Sequence, residues 1–114
     1  MVAPSTGAVV LVPFPFSDLS RSKLRPAVVL ADAGRGDWIL CQVTSNPYSD
    51  PRAVRLSATD FQTGSLQRES YARPGKLFTA SRGLFRVQAG SLETTVFERV
   101  LKAVVEILQP NPVA

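Results

Sequence analysis

Three short stretches carry side chains suited to chemistry on a charged substrate: Arg25-Pro26, Thr44-Ser45 and Arg73-Pro74. Each stands at the end of an apolar run. Pro26 lacks an N–H and pushes Arg25 out of the helical region, so a strand over Val28–Leu30 is expected to begin there. Arg25 is then a permanently charged, five-donor fork held on rigid backbone at a strand mouth, a better match for a phosphate than for a core. Thr44 ends the run Trp38–Thr44, and Arg73 precedes another proline. Taken singly, each has a plain structural explanation: a surface arginine that opens a strand, a β-former that closes one, an arginine paired with Glu69. Together they supply two cations and a hydroxyl, which can hold a phosphodiester and stabilise charge on it during displacement.

The elements that must position these groups follow from the pattern. Val9–Val12 is a first strand, and Pro13-Phe-Pro-Phe16 extends it with both rings on one face, at an edge or a strand end. Ser17–Leu24 is a polar, basic loop leading into the Pro26–Ala31 strand. Asp32–Gly36 is a turn whose glycines supply positive φ. Trp38–Thr44 is the strongest strand, and Ser45–Pro51 is a polar loop broken by two prolines. Ala53–Leu56 is a short strand, and Ser57–Arg68 reads as surface loop. Glu69–Arg73 and Lys76–Thr79 read as two strands around Pro74-Gly75, with a further piece near Leu84–Val87. Val96, Phe97, Val100, Leu101, Val104, Val105 and Leu108 then recur at the spacing of one helical face. Glu98 and Lys102 stand opposite as an i,i+4 pair, and Thr95 with Glu98 fits a capping box, the alternative being an N-cap one or two residues earlier. The expected architecture is α+β: five to seven short strands forming a small bent antiparallel barrel, covered by an amphipathic C-terminal helix.

Composition narrows the class. The 114 residues are expected to form a single domain, 1–114, with 45% apolar and 19% charged residues. One cysteine, Cys41, rules out an internal disulfide, and without histidine a zinc cluster is not expected. The longest apolar run, Ala8–Phe16, carries two prolines and is too short to span a membrane; a cytoplasmic protein is expected. Eleven of the 13 Lys/Arg but six of the nine Asp/Glu lie within residues 1–90, so a basic body precedes a slightly acidic tail. That asymmetry suits a polyanionic partner.

The runs VVLVPFPFSDLSRSKLRPAVVL, CQVTSNP and SYARPGKLFTA, followed by the closing helix, resemble the MazF/PemK family of type II toxin–antitoxin toxins. The resemblance extends in order from Gly7 to Leu108. It implies an SH3-like barrel, usually a homodimer, that acts as an endoribonuclease on single-stranded RNA without a metal or other cofactor. It also implies a cognate antitoxin, expected to carry an acidic, partly disordered tail. Arg25 and Thr44 match the family's catalytic positions, and Arg73 matches a basic residue that lies at the RNA in PemK-type members. Lys23, Ser45 and Lys76 are the further expected RNA contacts. Two positions depart from the pattern: Ala8 replaces a common acidic residue, and Gly75 stands where PemK-type members often have Asp.

Metal-free RNA cleavage uses the adjacent 2′-OH as nucleophile and leaves a 2′,3′-cyclic phosphate. It needs a base, an acid and donors for the phosphorane. Arginine is too basic to accept the proton, so Arg25 is assigned charge stabilisation, with proton donation to the leaving group as a second role open to it, and Thr44 positioning of the phosphate or the 2′-OH. Asp18, in the basic loop, is the candidate base. Two other classes share this outline: a non-enzymatic gyrase poison of the CcdB type, and an SH3-like RNA-binding module that does not cut. The chain lacks the aromatic terminus associated with the former.

Overall fold

The structure is a computed structural model that describes residues 5–15 and 22–110. Phe16 and residues 17–21 of the basic loop, Asp18 among them, lie outside the described residues. Seven strands form one antiparallel sheet: β1 (Ala8–Pro15), β2 (Ser22–Gly34), β3 (Asp37–Thr44), β4 (Val54–Leu56), β5 (Phe61–Gly64), β6 (Ser70–Ser81) and β7 (Val87–Leu92). Their order is β4-β6-β3-β2-β1-β7-β5, a nearly closed barrel of the expected class. One helix, α1 (Thr94–Leu108), closes the chain.

Alternation along the strands separates two apolar clusters, one on each face of the sheet. Val9, Val28, Cys41, Val43, Val54 and Ala72 belong to the first, and Val96, Val100 and Val104 of α1 pack into it. Val10, Val12, Ala27, Val29, Leu40 and Phe85 form the second. The helix thus buries every fourth residue of its apolar face. Enclosing a valine such as Val100, which is fully buried, contributes roughly 1.5–3 kcal/mol. Leu101, Val105 and Leu108, on the flank of that face, stay exposed.

Four local readings are corrected. Strand β2 starts at Ser22 and runs through Pro26, which pairs with Leu11 of β1; on the other side, pairing with β3 starts only at Ala27, so the missing N–H falls where the ladder has ended. Pro74-Gly75 does not divide two strands. Strand β6 is continuous, and a shift of register between Cys41 and Val43 of β3 absorbs the Arg73–Lys76 segment as a wide bulge around the buried Pro74. Phe61–Gly64 is a strand rather than loop. Gly64 and Gly90 face one another there, and a Cβ on either would fall 2.1–2.4 Å from the opposite backbone oxygen. The N-cap of α1 is Glu93, the earlier alternative, so Thr95 lies inside the helix and makes no capping box. The Pro13 expectation holds: β1 has no β7 partner beyond Leu11, and only β2 borders it there.

Candidate functional site

The β2–β3 hairpin brings Arg25 and Thr44 together, and two bulges set the match. From the turn, Gly34 pairs with Asp37; one residue of β2 is then skipped between Asp32 and Gly34, and another between Val29 and Ala31. Pairing beyond them runs Val29–Leu40, Val28–Cys41 and Ala27–Gln42. Carried two residues further, that register sets Arg25 opposite Thr44. Without the bulges it would set Arg25 opposite Asn46. Arg25 also faces Val12 of β1, and Thr44 faces Tyr71 of β6. The ladder itself stops at Ala27 and Gln42, so Arg25 and Thr44 stand on two strand ends just past it, each tied to its other neighbour.

Both groups are held firmly. Arg25 is half-buried, with its Nε shut off from solvent. Thr44 is buried, and its Oγ1 accepts the Asn46 N–H at 3.1 Å. A cavity of about 630 Å3 opens beside them, and Lys23, Arg25, Thr44 and Ser45 all line it. Gln67 and Arg68 complete its polar wall. Its lining among the described residues contains three cations and no carboxylate, so it presents a positive potential to solvent.

Arg73 and Lys76 are not in that lining. Arg73 lies two residues along β6 from Tyr71, on the same face of the strand. Its Nε donates to Asp50 Oδ2 at 3.2 Å, and its guanidinium lies 5.4 Å from the centre of the Tyr48 ring. The expected ion pair thus exists with a different carboxylate, since Glu69 pairs with Arg55. Asp50 Oδ1 accepts the Arg52 N–H at 2.9 Å. That backbone donor first, and Arg73 next, hold the Asp50 carboxyl below its usual range. Lys76 is exposed in the β6 bulge.

Cys41 Sγ donates to the Arg73 carbonyl at 3.1 Å. Burial pushes the thiol up to about 12, so it is a packing residue with no thiolate at neutral pH. Among the described residues, no three His, Cys, Asp or Glu side chains gather to hold a metal.

Sequence reasoning missed Gln67, Arg68, Tyr48 and Asp50. The first two lay in a segment read as polar surface. The pair Asn46-Pro47 and Asp50-Pro51 did signal a tightly turned loop, but nothing local pointed from Asp50 to an arginine 23 positions away.

The sequence from residue 5 to 108 matches the family described as PemK-like, MazF-like toxin of type II toxin–antitoxin system. The chain belongs to that family. This toxin has the fold of solved MazF structures. It is similar to MazF in a MazE–MazF complex from Deinococcus radiodurans, with 22% identity, 96% of this chain and 99% of the other covered, and a TM-score of 0.76. MazF alone from the same organism gives 23% identity, coverage of 95% and 98%, and a TM-score of 0.74. An endoribonuclease in complex with its cognate antitoxin from Mycobacterial species gives 16% identity, 95% coverage of each chain and a TM-score of 0.70. No protein of curated function is significantly similar in sequence. None of the toxin's described helices is long and apolar enough to cross a membrane.

Proposed function

We propose that this toxin is an endoribonuclease that cuts single-stranded RNA by attack of the ribose 2′-OH on the adjacent phosphate, without a metal. The observation that carries the reading is that Arg25 and Thr44 line one cavity whose lining, among the described residues, holds three cations and no carboxylate. In the reaction the 2′-oxygen bonds to phosphorus, the 5′-oxygen leaves with a proton, and a 2′,3′-cyclic phosphate remains. Arg25 offsets the extra negative charge of the phosphorane through paired N–H donors. Thr44 orients the phosphate, while Lys23, Ser45 and Arg68 hold the strand on either side. Arg73 and Lys76 extend the basic track along β6. Asp18, outside the described residues, is the proposed base. The working unit is a cytoplasmic homodimer of single-domain chains, restrained by a cognate antitoxin whose acidic tail competes for the basic surface. The solved relative that carries a cognate antitoxin supports that partner.

The test is incubation of the pure toxin with a long single-stranded RNA in EDTA. Discrete fragments ending in cyclic phosphate are expected; intact but retarded RNA would make the chain a binding module and remove the enzyme. Arg25→Lys keeps the charge but loses the planar fork. It should fold like the parent, bind RNA within a few-fold and cut at least about a hundredfold more slowly. Equal cutting by the two would return Arg25 to a structural role.

A further inference from the structure

The loop that follows Thr44 has its own conformational peculiarity, and it centres on Tyr48. Tyr48 and Ser49 both take positive φ, 53° and 58°, a region a bulky side chain seldom adopts. Backbone of this kind persists only where the surroundings impose it, and it concentrates at binding sites. Here a relay of hydrogen bonds imposes it. Thr44 Oγ1 accepts the Asn46 N–H, and Asn46 Oδ1 accepts the Tyr48 N–H at 2.9 Å. Pro47 O then accepts the Asp50 N–H at 2.9 Å.

The strain does not bury the ring. Tyr48 is 63% exposed, while the Arg73 guanidinium sits 5.4 Å from its centre and is itself fixed by Asp50. A rigid aromatic ring, backed by a fixed cation and starting four residues from Thr44, is turned outward at a backbone cost. We infer that Tyr48 is a stacking platform for one nucleobase of the RNA, next to the phosphate held at Arg25 and Thr44. Single-stranded RNA is the ligand class because its bases are unpaired, and each one stacked on an aromatic ring adds about 1–3 kcal/mol to binding. Stacking is also tolerant of base identity, so the platform adds affinity and register and leaves sequence choice to other contacts. The inference rests on the endoribonuclease reading for its choice of ligand, and its test does not depend on cutting.

The probe is a pool of end-labelled single-stranded RNA decamers made uncleavable by 2′-fluoro substitution, with binding read by fluorescence anisotropy between about 50 and 200 mM salt. Tyr48→Phe keeps the ring and should bind within twofold of the parent. Tyr48→Leu removes the π face and should bind about tenfold more weakly. Stacking carries no charge, so Tyr48→Leu should leave the slope of log affinity against log salt unchanged; loss of a phosphate contact would lower that slope by about one. Thermal melting of both variants establishes that each is folded, and Tyr48→Gly, which tolerates positive φ, gives a second ring-free variant should leucine not fold. The inference is overturned if the ring-free variant binds within twofold of the parent. It is equally overturned if the loss comes with a shallower salt slope, because Tyr48 would then act only by holding Arg73. A parent that binds the pool but does not cut unmodified RNA would remove the enzymatic reading and leave the platform in place. A parent that cuts, with a ring-free variant that binds equally well, would do the reverse. A parent that fails to bind at any salt would end both.

Discussion

Among the described residues the backbone turns left-handed at non-glycine residues in two places, and the two are held in different ways. At the β2–β3 turn, Arg35 has φ 57° between Gly34 and Gly36, at 90° and 81°. Two successive positive φ values at Arg35 and Gly36 make the type I′ geometry that a two-residue hairpin needs to match strand twist. The strain there has a topological cause, and glycine carries most of it. In the loop after β3, Tyr48 and Ser49 are left-handed with no glycine beside them, and no hairpin requires it. Hydrogen bonds accepted by the Asn46 and Asp50 side chains, and the Arg73 ion pair, hold the shape. A turn strained for connectivity can be relaxed without consequence. A loop strained by side-chain ties is being kept in a particular shape.

Cutting those ties should show the contrast most strongly. Asp50→Ala leaves Arg73, only 20% exposed, without its carboxylate and frees the Arg52 N–H. A loss of about 2–3 kcal/mol is expected, read as a lower melting temperature, with new proteolytic cuts inside residues 45–53. Unchanged melting and no new cuts would mean that the loop holds itself.

A smaller effect comes from pH. The Asp50 carboxyl lies below its ordinary value in the folded chain, so its contribution is fully present above the unfolded value near 4. It is lost as pH falls through the lower folded value. Stability of the parent should therefore drop more steeply below about pH 4 than that of Asp50→Asn, which has no proton to bind there. Parallel acid curves from urea melts would separate Asp50 from the loop's stability.

Smallest are the glycine tests of the comparison itself. Arg35→Gly and Ser49→Gly each relieve a positive φ, and each should gain no more than about 1 kcal/mol in chemical denaturation. Neither should alter RNA affinity. An affinity change in Arg35→Gly would break the distinction between the two regions. Arg82→Lys, on an exposed 3₁₀ turn, serves as a further control and should stay within about 0.5 kcal/mol of the parent.

How much of this could be read from the chain depended on distance along it. Trp38–Thr44 and the helix after Glu93 carry their periodicity within one segment, and both were legible. Proline misled where tertiary structure overrode its local habit: Pro26 sits inside β2 because the β3 ladder has already stopped, and Pro74 inside β6 because a bulge encloses it. The Gly64–Gly90 approach is invisible locally, since each glycine matters only through the other. At the proposed site, Arg25 and Thr44 stand out in the sequence as residue types beside apolar runs. The register that brings them side by side was not legible, because it depends on two skipped residues that no spacing rule announces. The Asp50–Arg73 tie and the exposed Tyr48 ring belong to the same category of long-range consequence.

The two skipped residues of β2, Leu30 and Ala33, also determine where the hairpin tolerates a change of length. Eight residues lie between Arg25 and Gly34 on one strand, while six lie between Asp37 and Thr44 on the other. The bulges take up the difference. Losing Ala33, which is exposed, would straighten the ladder yet leave Arg25 facing Thr44. A residue lost between Arg25 and Val29 has no such slack to draw on. The arginine would pass to the opposite face of the sheet, and a chain of one residue fewer, still able to form its barrel, would carry its charge on the wrong side. This stretch of strand therefore behaves as a ruler for where the arginine sits, with its tolerances confined to the end nearest the turn.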